Sequence, residues 1–238
     1  MTRLIELLRL GKEPRVVGTV ITAEYLRQWN SSPHKLPCDL VELRVDGFPE
    51  TPDWIDVGEA IEEYEIPVLA TIRLAREGGK WTGVDSDRWP LLEDAVRRLS
   101  GVDVEIESEL ADLISRLARE LNKLCILSYH NFQETPPLET MRRLIHAAHE
   151  RGAIGKIAAT VNTPEDLANL RSLLSEKWPL PVCLIGMGPL GRETRLRFPR
   201  EGSCFTYGYL DTAGAPGQYS AAELTGHFAA EPKQGSGV

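Results

Sequence analysis

Among the seven lysines of this 238-residue sequence, Lys156 alone is set in a run of small apolar residues, AIGKIAATV. A buried ammonium loses its hydration, so burial favours the neutral amine, and a neutral amine can attack a carbonyl to form a Schiff base. Nearby cations push the same way, and Arg44, Arg73 and Arg195 are the candidates. Lys123 also abuts an apolar run, but it stands where that run begins. His130 closes a different run, LSYHNF, and reads either as a hydrogen-bonded core histidine or as a general acid and base. The other histidines offer no metal set: His146 and His149 are three apart on one helix without a third ligand, and His34 and His227 lie in polar surroundings.

Charged residues inside strand-like runs are costly unless they are paired or used. In VELRVD, strand alternation puts Glu42, Arg44 and Asp46 on one face and Val41, Leu43 and Val45 on the other. In ATIRLAREGG, Arg73 closes an apolar run and Glu77 follows in a turn with Gly78 and Gly79. A buried ion pair is the better reading for Asp46 alone, and a polar cavity is the better reading for the set. Arg195, in GMGPLGRETRLRF, carries the paired donors that suit a ligand carboxylate. Gly186, Gly188 and Gly191 spell GxGxxG, but the motif falls near the end of the chain and contains Pro189, so it is not read as a dinucleotide site. Gln218, in DTAGAPGQYS, sits on a stretch that fits a loop folding over a ligand and a plain surface turn equally well.

These residues need elements to hold them. Eight strand runs are expected, at residues 16–21, 40–46, 68–73, 104–108, 124–130, 156–161, 182–188 and 203–209, alternating with amphipathic stretches. The clearest helices are residues 138–151 and 164–177, the latter opened by Thr163 as N-cap with Pro164 in first position. Eight βα units predict a single-domain α/β protein, a (β/α)8 TIM barrel over residues 1–230, with a frayed tail at 231–238. A doubly wound open sheet is the structural competitor. In a barrel, strand ends such as His130 and Arg73 lie at the rim where the chemistry sits.

The formal charge of -8 argues against a nucleic-acid or anionic-membrane partner. The apolar runs are too short to span a bilayer and no secretory signal opens the chain, which predicts a cytoplasmic protein. Cys38, Cys125, Cys183 and Cys204 are scattered without a CxxC pair and read as free thiols.

Taken in order, these segments resemble the type I 3-dehydroquinate dehydratases. The residues that carry the likeness are Glu42, Arg44 and Asp46; Thr71 and Arg73 with Glu77-Gly78-Gly79; Ser128-Tyr129-His130; Gly155-Lys156; Met187-Gly188 with Thr194-Arg195; Gly202-Ser203 with Thr206-Tyr207-Gly208; and Ala215-Pro216-Gly217-Gln218. The resemblance implies a lyase of the shikimate pathway and aromatic amino-acid biosynthesis, converting 3-dehydroquinate to 3-dehydroshikimate without metal or organic cofactor, and working as a homodimer. It implies Lys156 as Schiff-base residue, His130 as proton carrier and Glu77 as its orienting partner. Arg195 would hold the substrate carboxylate, Gln218 would close the site, and Glu42, Arg44 and Arg73 would bind the ketone side and ring hydroxyls. The sequence departs from the family pattern in having Asn131 where an acid usually follows the histidine, and Gly214 where a serine commonly contacts substrate. The competing functions are a class I Schiff-base aldolase on the same barrel and a non-catalytic small-molecule binder.

Overall fold

The computed structural model describes residues 3–48, 53–214 and 218–230. Its strands are β1 (Val16–Val20), β2 (Leu40–Arg44), β3 (Val68–Thr71), β4 (Gly101–Glu105), β5 (Leu124–Asn131), β6 (Ile154–Thr160), β7 (Val182–Met187) and β8 (Thr206–Tyr209). The helices are α1 (Arg3–Leu7), α2 (Ala23–Ser31), α3 (Trp54–Glu62), α4 (Trp89–Arg98), α5 (Ala111–Glu120), α6 (Leu138–Glu150), α7 (Pro164–Leu174), α8 (Gly188–Gly191), α9 (Thr194–Arg197) and α10 (Ala221–Ala230). All eight strands are parallel, in the order β7-β6-β5-β4-β3-β2-β1-β8.

The ring closes between β7 and β8 through a bridge of Val182 with Ser203. A side chain helps there: the Leu184 amide donates to Ser203 Oγ at 2.9 Å, while the Cys204 amide donates to the Val182 carbonyl at 2.8 Å. The molecule is therefore a (β/α)8 barrel, and the open-sheet alternative is set aside.

Alternation along each strand sorts the side chains. Val41, Leu43, Val68, Ala70, Val102, Val104 and Leu127 face outward and pack with Ile55, Ile61, Leu92, Val96 and Ile114 of the helices. Ile157, Ala159 and Leu184 do the same against Met141, Ile145, Leu170 and Leu173. Inside the ring, Val17, Leu40, Leu69, Leu124, Ile126, Ile154 and Phe205 fill the N-terminal half. Ile5 of α1 and Leu10 belong to this same cluster, so the segment before β1 plugs the bottom of the barrel.

Every strand departs from the expected bounds at one end or both, and four of the departures have a local cause. β2 stops at Arg44, because Val45–Gly47 turns into a 3-10 helix that Asp46 pins to the backbone amides of Arg73 and Lys80. β3 ends at Thr71, ahead of Arg73, and β8 starts at Thr206, after Ser203 has turned its hydroxyl to the β7 seam. β4 begins at Gly101, three residues earlier than expected, because Gly101 pairs with both Leu69 and Leu124 and a Cβ there would lie 2.4 Å from the Leu124 carbonyl oxygen.

Helix α7 opens as expected, with Thr163 accepting from the Asp166 amide and Asp166 accepting from the Thr163 amide, a reciprocal cap. It stops at Leu174, where the Trp178 indole N–H takes the Leu173 carbonyl. No described helix is long and apolar enough to cross a membrane. Cys125, Cys183 and Cys204 are buried free thiols and Cys38 is half-buried. Residues 215–217 of the expected loop and the expected tail at 231–238 lie outside the described residues.

Candidate active site

A cavity of about 180 Å³ opens at the C-terminal ends of the strands, lined among others by Glu42, Arg44, Arg73, Glu77, His130, Lys156, Arg195, Tyr207 and Gln218. Of the charged set read as a polar cavity, Asp46 stays out of the lining, and the other candidates reach one pocket.

Lys156 projects inward from the middle of β6 and is 5% exposed. Its amine is not surrounded by hydrophobic groups alone, as the apolar run suggests. Nζ donates to Asp103 Oδ2 at 2.9 Å and lies 4.1 Å from the centre of the Tyr207 ring. Asp103, which strand β4 aims inward, is shared: its other oxygen accepts from Arg73 at 2.7 Å and from Ser128 Oγ at 2.6 Å. Burial alone would raise the Asp103 carboxyl, but Arg73 and then Lys156 hold it well below the usual carboxylate range. The lysine is therefore fixed by an ionised carboxylate that also answers a second cation.

Arg73 is 3% exposed and donates to Ser128 at 2.8 Å, to Asp103, and lies 3.2 Å from Glu105. Its guanidinium lines the cavity while Nη1 and Nη2 hold Ser128, Asp103 and Glu105, so Arg73 organises the buried charges beneath the pocket. Behind it, Glu105 accepts from fully buried Arg88 at 2.7 Å, and Arg88 also meets Ser108 at 3.0 Å and Asp85. A chain of alternating charge, Arg88, Glu105, Arg73, Asp103 and Lys156, runs from the β3–α4 connection to the reactive amine.

His130 sits two residues beyond Ser128 on β5, one inward step nearer the rim. Glu77 Oε2 accepts from its backbone amide and contacts Nδ1, both at 3.0 Å. Burial, followed by Arg73 and Lys156, pushes the imidazole well below its ordinary value, so His130 is neutral. Burial also pushes the Glu77 carboxyl up to about 7, against the pull of Arg73. With Glu77 ionised, Nδ1–H is held on the carboxylate and Nε2 is left as the basic nitrogen for the cavity. Asn131 does not touch this pair: its Oδ1 accepts from the amides of Gln133 and Glu134 and holds the turn.

Glu42 is oriented by two hydroxyls, Thr19 at 3.0 Å and Thr71 at 2.9 Å. Arg44 makes a two-pronged pair with Asp46 at 2.9 and 2.8 Å, the ion-pair reading of Asp46. Arg195 differs from both other cavity arginines. One of its donors meets the Tyr207 carbonyl at 3.0 Å, no carboxylate pairs with it among the described residues, and burial pushes its guanidinium down. The GxGxxG stretch explains how it gets there. Gly191 packs so closely on Gly186 that a Cβ would lie 2.4 Å from the Gly186 carbonyl carbon, and Thr194 Oγ1 accepts from the Gly186 amide. Those glycines make a tight strand-to-helix turn that carries Arg195 to the cavity wall. Gln218, after β8, also lines the cavity, with its Oε1 accepting from the Gly214 amide at 2.9 Å.

Sequence reading missed Asp103, Glu105, Arg88 and Tyr207. The signal for the first two was present, since GVDVE alternates charge with valine just as VELR does, but the expected strand began at Val104 and left Asp103 outside it. His146 and His149, set aside as metal ligands, meet Trp178 edge to face, with ring centres 5.0 and 5.7 Å apart.

A buried amine on an inward strand face, an oriented neutral imidazole and a guanidinium with no carboxylate partner among the described residues share one barrel mouth, the rim at which barrel enzymes place their chemistry. Comparison narrows the class. The family model "Type I 3-dehydroquinase" matches residues 19–231. The chain is 34% identical over 221 residues to the 3-dehydroquinate dehydratase of Methanococcoides burtonii, covering 90% of this chain and 93% of that one. It is 37% identical over 184 residues to that of Methanothermobacter thermautotrophicus, with 76% and 79% covered. Among solved structures, the 3-dehydroquinate dehydratase of Aquifex aeolicus superposes with a TM-score of 0.76 at 30% identity, covering 90% of this chain and 96% of that one. The Geobacillus kaustophilus enzyme does so with a TM-score of 0.79 at 27% identity, covering 91% and 90%. The chain belongs to the type I 3-dehydroquinase family.

Proposed function

We propose that this chain is a 3-dehydroquinate dehydratase of the shikimate pathway, removing water from 3-dehydroquinate through a Schiff base on Lys156. The observation that carries the reading is the placement of Lys156 Nζ, buried in the cavity wall, in one pocket with a neutral imidazole oriented by Glu77. Family membership supports it and removes the ground from the aldolase and non-catalytic readings.

The Lys156 amine gives up a proton and adds to the ring ketone, the ketone oxygen leaves as water, and a protonated imine results. That imine is an electron sink, so the adjacent carbon becomes acidic. His130 Nε2 removes its proton, the electron pair moves toward the imine, and the neighbouring carbon loses its hydroxyl, which takes a proton from His130 and departs as water. Hydrolysis of the conjugated imine returns the lysine. Asp103 holds the ammonium before attack and balances the charge of the imine. Arg195, with no carboxylate partner among the described residues, takes the substrate carboxylate. Glu42 and Arg44 meet the oxygens of the ring, Arg73 keeps Asp103 ionised, and Gln218 covers the ligand from the rim.

Borohydride reduction in the presence of 3-dehydroquinate, followed by mass spectrometry, tests this: an irreversible adduct on Lys156 is expected, and its absence would sink the reading. We further assign the enzyme to the cytoplasm as a homodimer, in keeping with the family and the acidic composition; a sizing column that returns a monomer ends the second assignment.

A further inference from the structure

Tyr207 stands on the inward face of β8, with Phe205 one inward step below it, and its ring forms part of the cavity wall under the reactive amine. The residue is 5% exposed, yet its hydroxyl is a buried polar atom with no hydrogen-bond partner among the described residues. An orphaned hydroxyl in a protein interior is destabilising, because it has given up its water without gaining a partner. Nearly every other polar group facing this cavity is answered: Glu42 by two threonines, His130 by Glu77, Lys156 by Asp103. A Phe would fill the same wall without leaving a hydroxyl unsatisfied.

We propose that the Tyr207 hydroxyl is a substrate contact, donating a hydrogen bond to the ketone oxygen as Lys156 attacks the carbon that bears it. This deepens the dehydratase reading and rests on it. Nζ lies 4.1 Å from the centre of the ring, so a ketone that reaches Nζ also lies against the phenol. As the N–C bond forms, the carbonyl π pair moves onto that oxygen, and a fixed donor there stabilises the developing charge. The oxygen takes its protons from the amine by way of His130, and Tyr207 keeps its own. The phenol is suited to that duty: burial first, and then negative groups that include Asp103 and Glu42, raise it well above its ordinary value, so it stays a donor across the working range.

The test is Tyr207→Phe, which removes one oxygen and leaves the ring under Lys156. The thermal midpoint should stay the same or rise, because no protein partner is lost. The rate of borohydride-trappable adduct formation in a single turnover, and kcat/KM with it, should fall about tenfold, the equivalent of one hydrogen bond. Unchanged adduct formation would overturn the proposal, even with a lower kcat, since the hydroxyl would then act elsewhere. A lowered midpoint would also overturn it, because the hydroxyl would then serve the fold. The same experiment on the unaltered protein separates the two levels: no adduct on Lys156 defeats the dehydratase reading and this inference together, whereas a normal adduct with an indifferent Tyr207→Phe defeats this inference alone.

Discussion

The two halves of the barrel interior are built from the same strands and do opposite things. At the N-terminal end, Val17, Leu40, Leu69, Ile126, Ile154 and Phe205 make a dry plug. Two residues further along those same strands, the inward positions are Thr19, Glu42, Thr71, Ser128, Lys156 and Tyr207. One inward step, about 6.6 Å of strand, takes the interior from hydrocarbon to a bonded lattice of charge. The lower half excludes water and fixes the register, because a one-residue slip would turn every apolar side chain outward. The upper half has no such freedom to repack. Asp103, Arg73 and Lys156 are buried ions whose separation would leave an uncompensated charge, so each holds the others in place. Rigidity below and mutual electrostatic restraint above together hold the amine at one spot.

Four changes would break or sharpen this contrast. Lys156→Ala should reduce dehydration to the uncatalysed rate and abolish the borohydride adduct, measured by turnover and by mass spectrometry. His130→Ala removes the proton carrier but not the nucleophile, so turnover should fall by about 10²–10⁴-fold while a trappable imine still accumulates; equal loss of adduct in both variants would refute the division of roles. In the lower half, Leu69→Ala should lower stability by about 2–5 kcal/mol in denaturant titration and leave kcat of the folded enzyme close to normal. A large loss of kcat there would mean that the two halves are less separate than their chemistry suggests.

The smallest effect concerns pH. Glu77 is pushed up to about 7, and only its ionised form keeps Nδ1–H on the carboxylate with Nε2 basic. As pH falls through 7 the base is therefore lost, and kcat/KM should show an acid limb near that value. In Glu77→Gln, the limb should move down toward the depressed titration of His130 itself, with the plateau lowered about tenfold, a part of what a positioned base contributes. An unmoved limb in the variant would assign it to another group.

Much of the upper half is legible from residue order alone. VELR announces inward charge by alternation, the run around Lys156 announces a buried amine, and LSYH brings a histidine to a strand end, because period-two patterning is local physics. Asp103 escapes because β4 starts on Gly101, a residue of weak strand preference whose place is dictated by close approach to Leu124 on the neighbouring strand. Arg73 is legible as a rim residue but not as the partner of Ser128, Asp103 and Glu105, which lie 30 to 55 positions away along the chain.

The order of residues by itself determined the eight-fold alternation of strand and helix, the inward charged face of β2, and that Lys156 sits in an apolar strand and His130 at a strand end. Only the closed barrel decided which carboxylate meets the amine, which cavity arginine has none among the described residues, and that the ring of Tyr207 lies against the amine with its buried hydroxyl unbonded among the described residues. The physical reason is that side-chain facing follows from a two-residue repeat within one strand, whereas pairing of charges follows from the register between strands, which the whole ring sets at once.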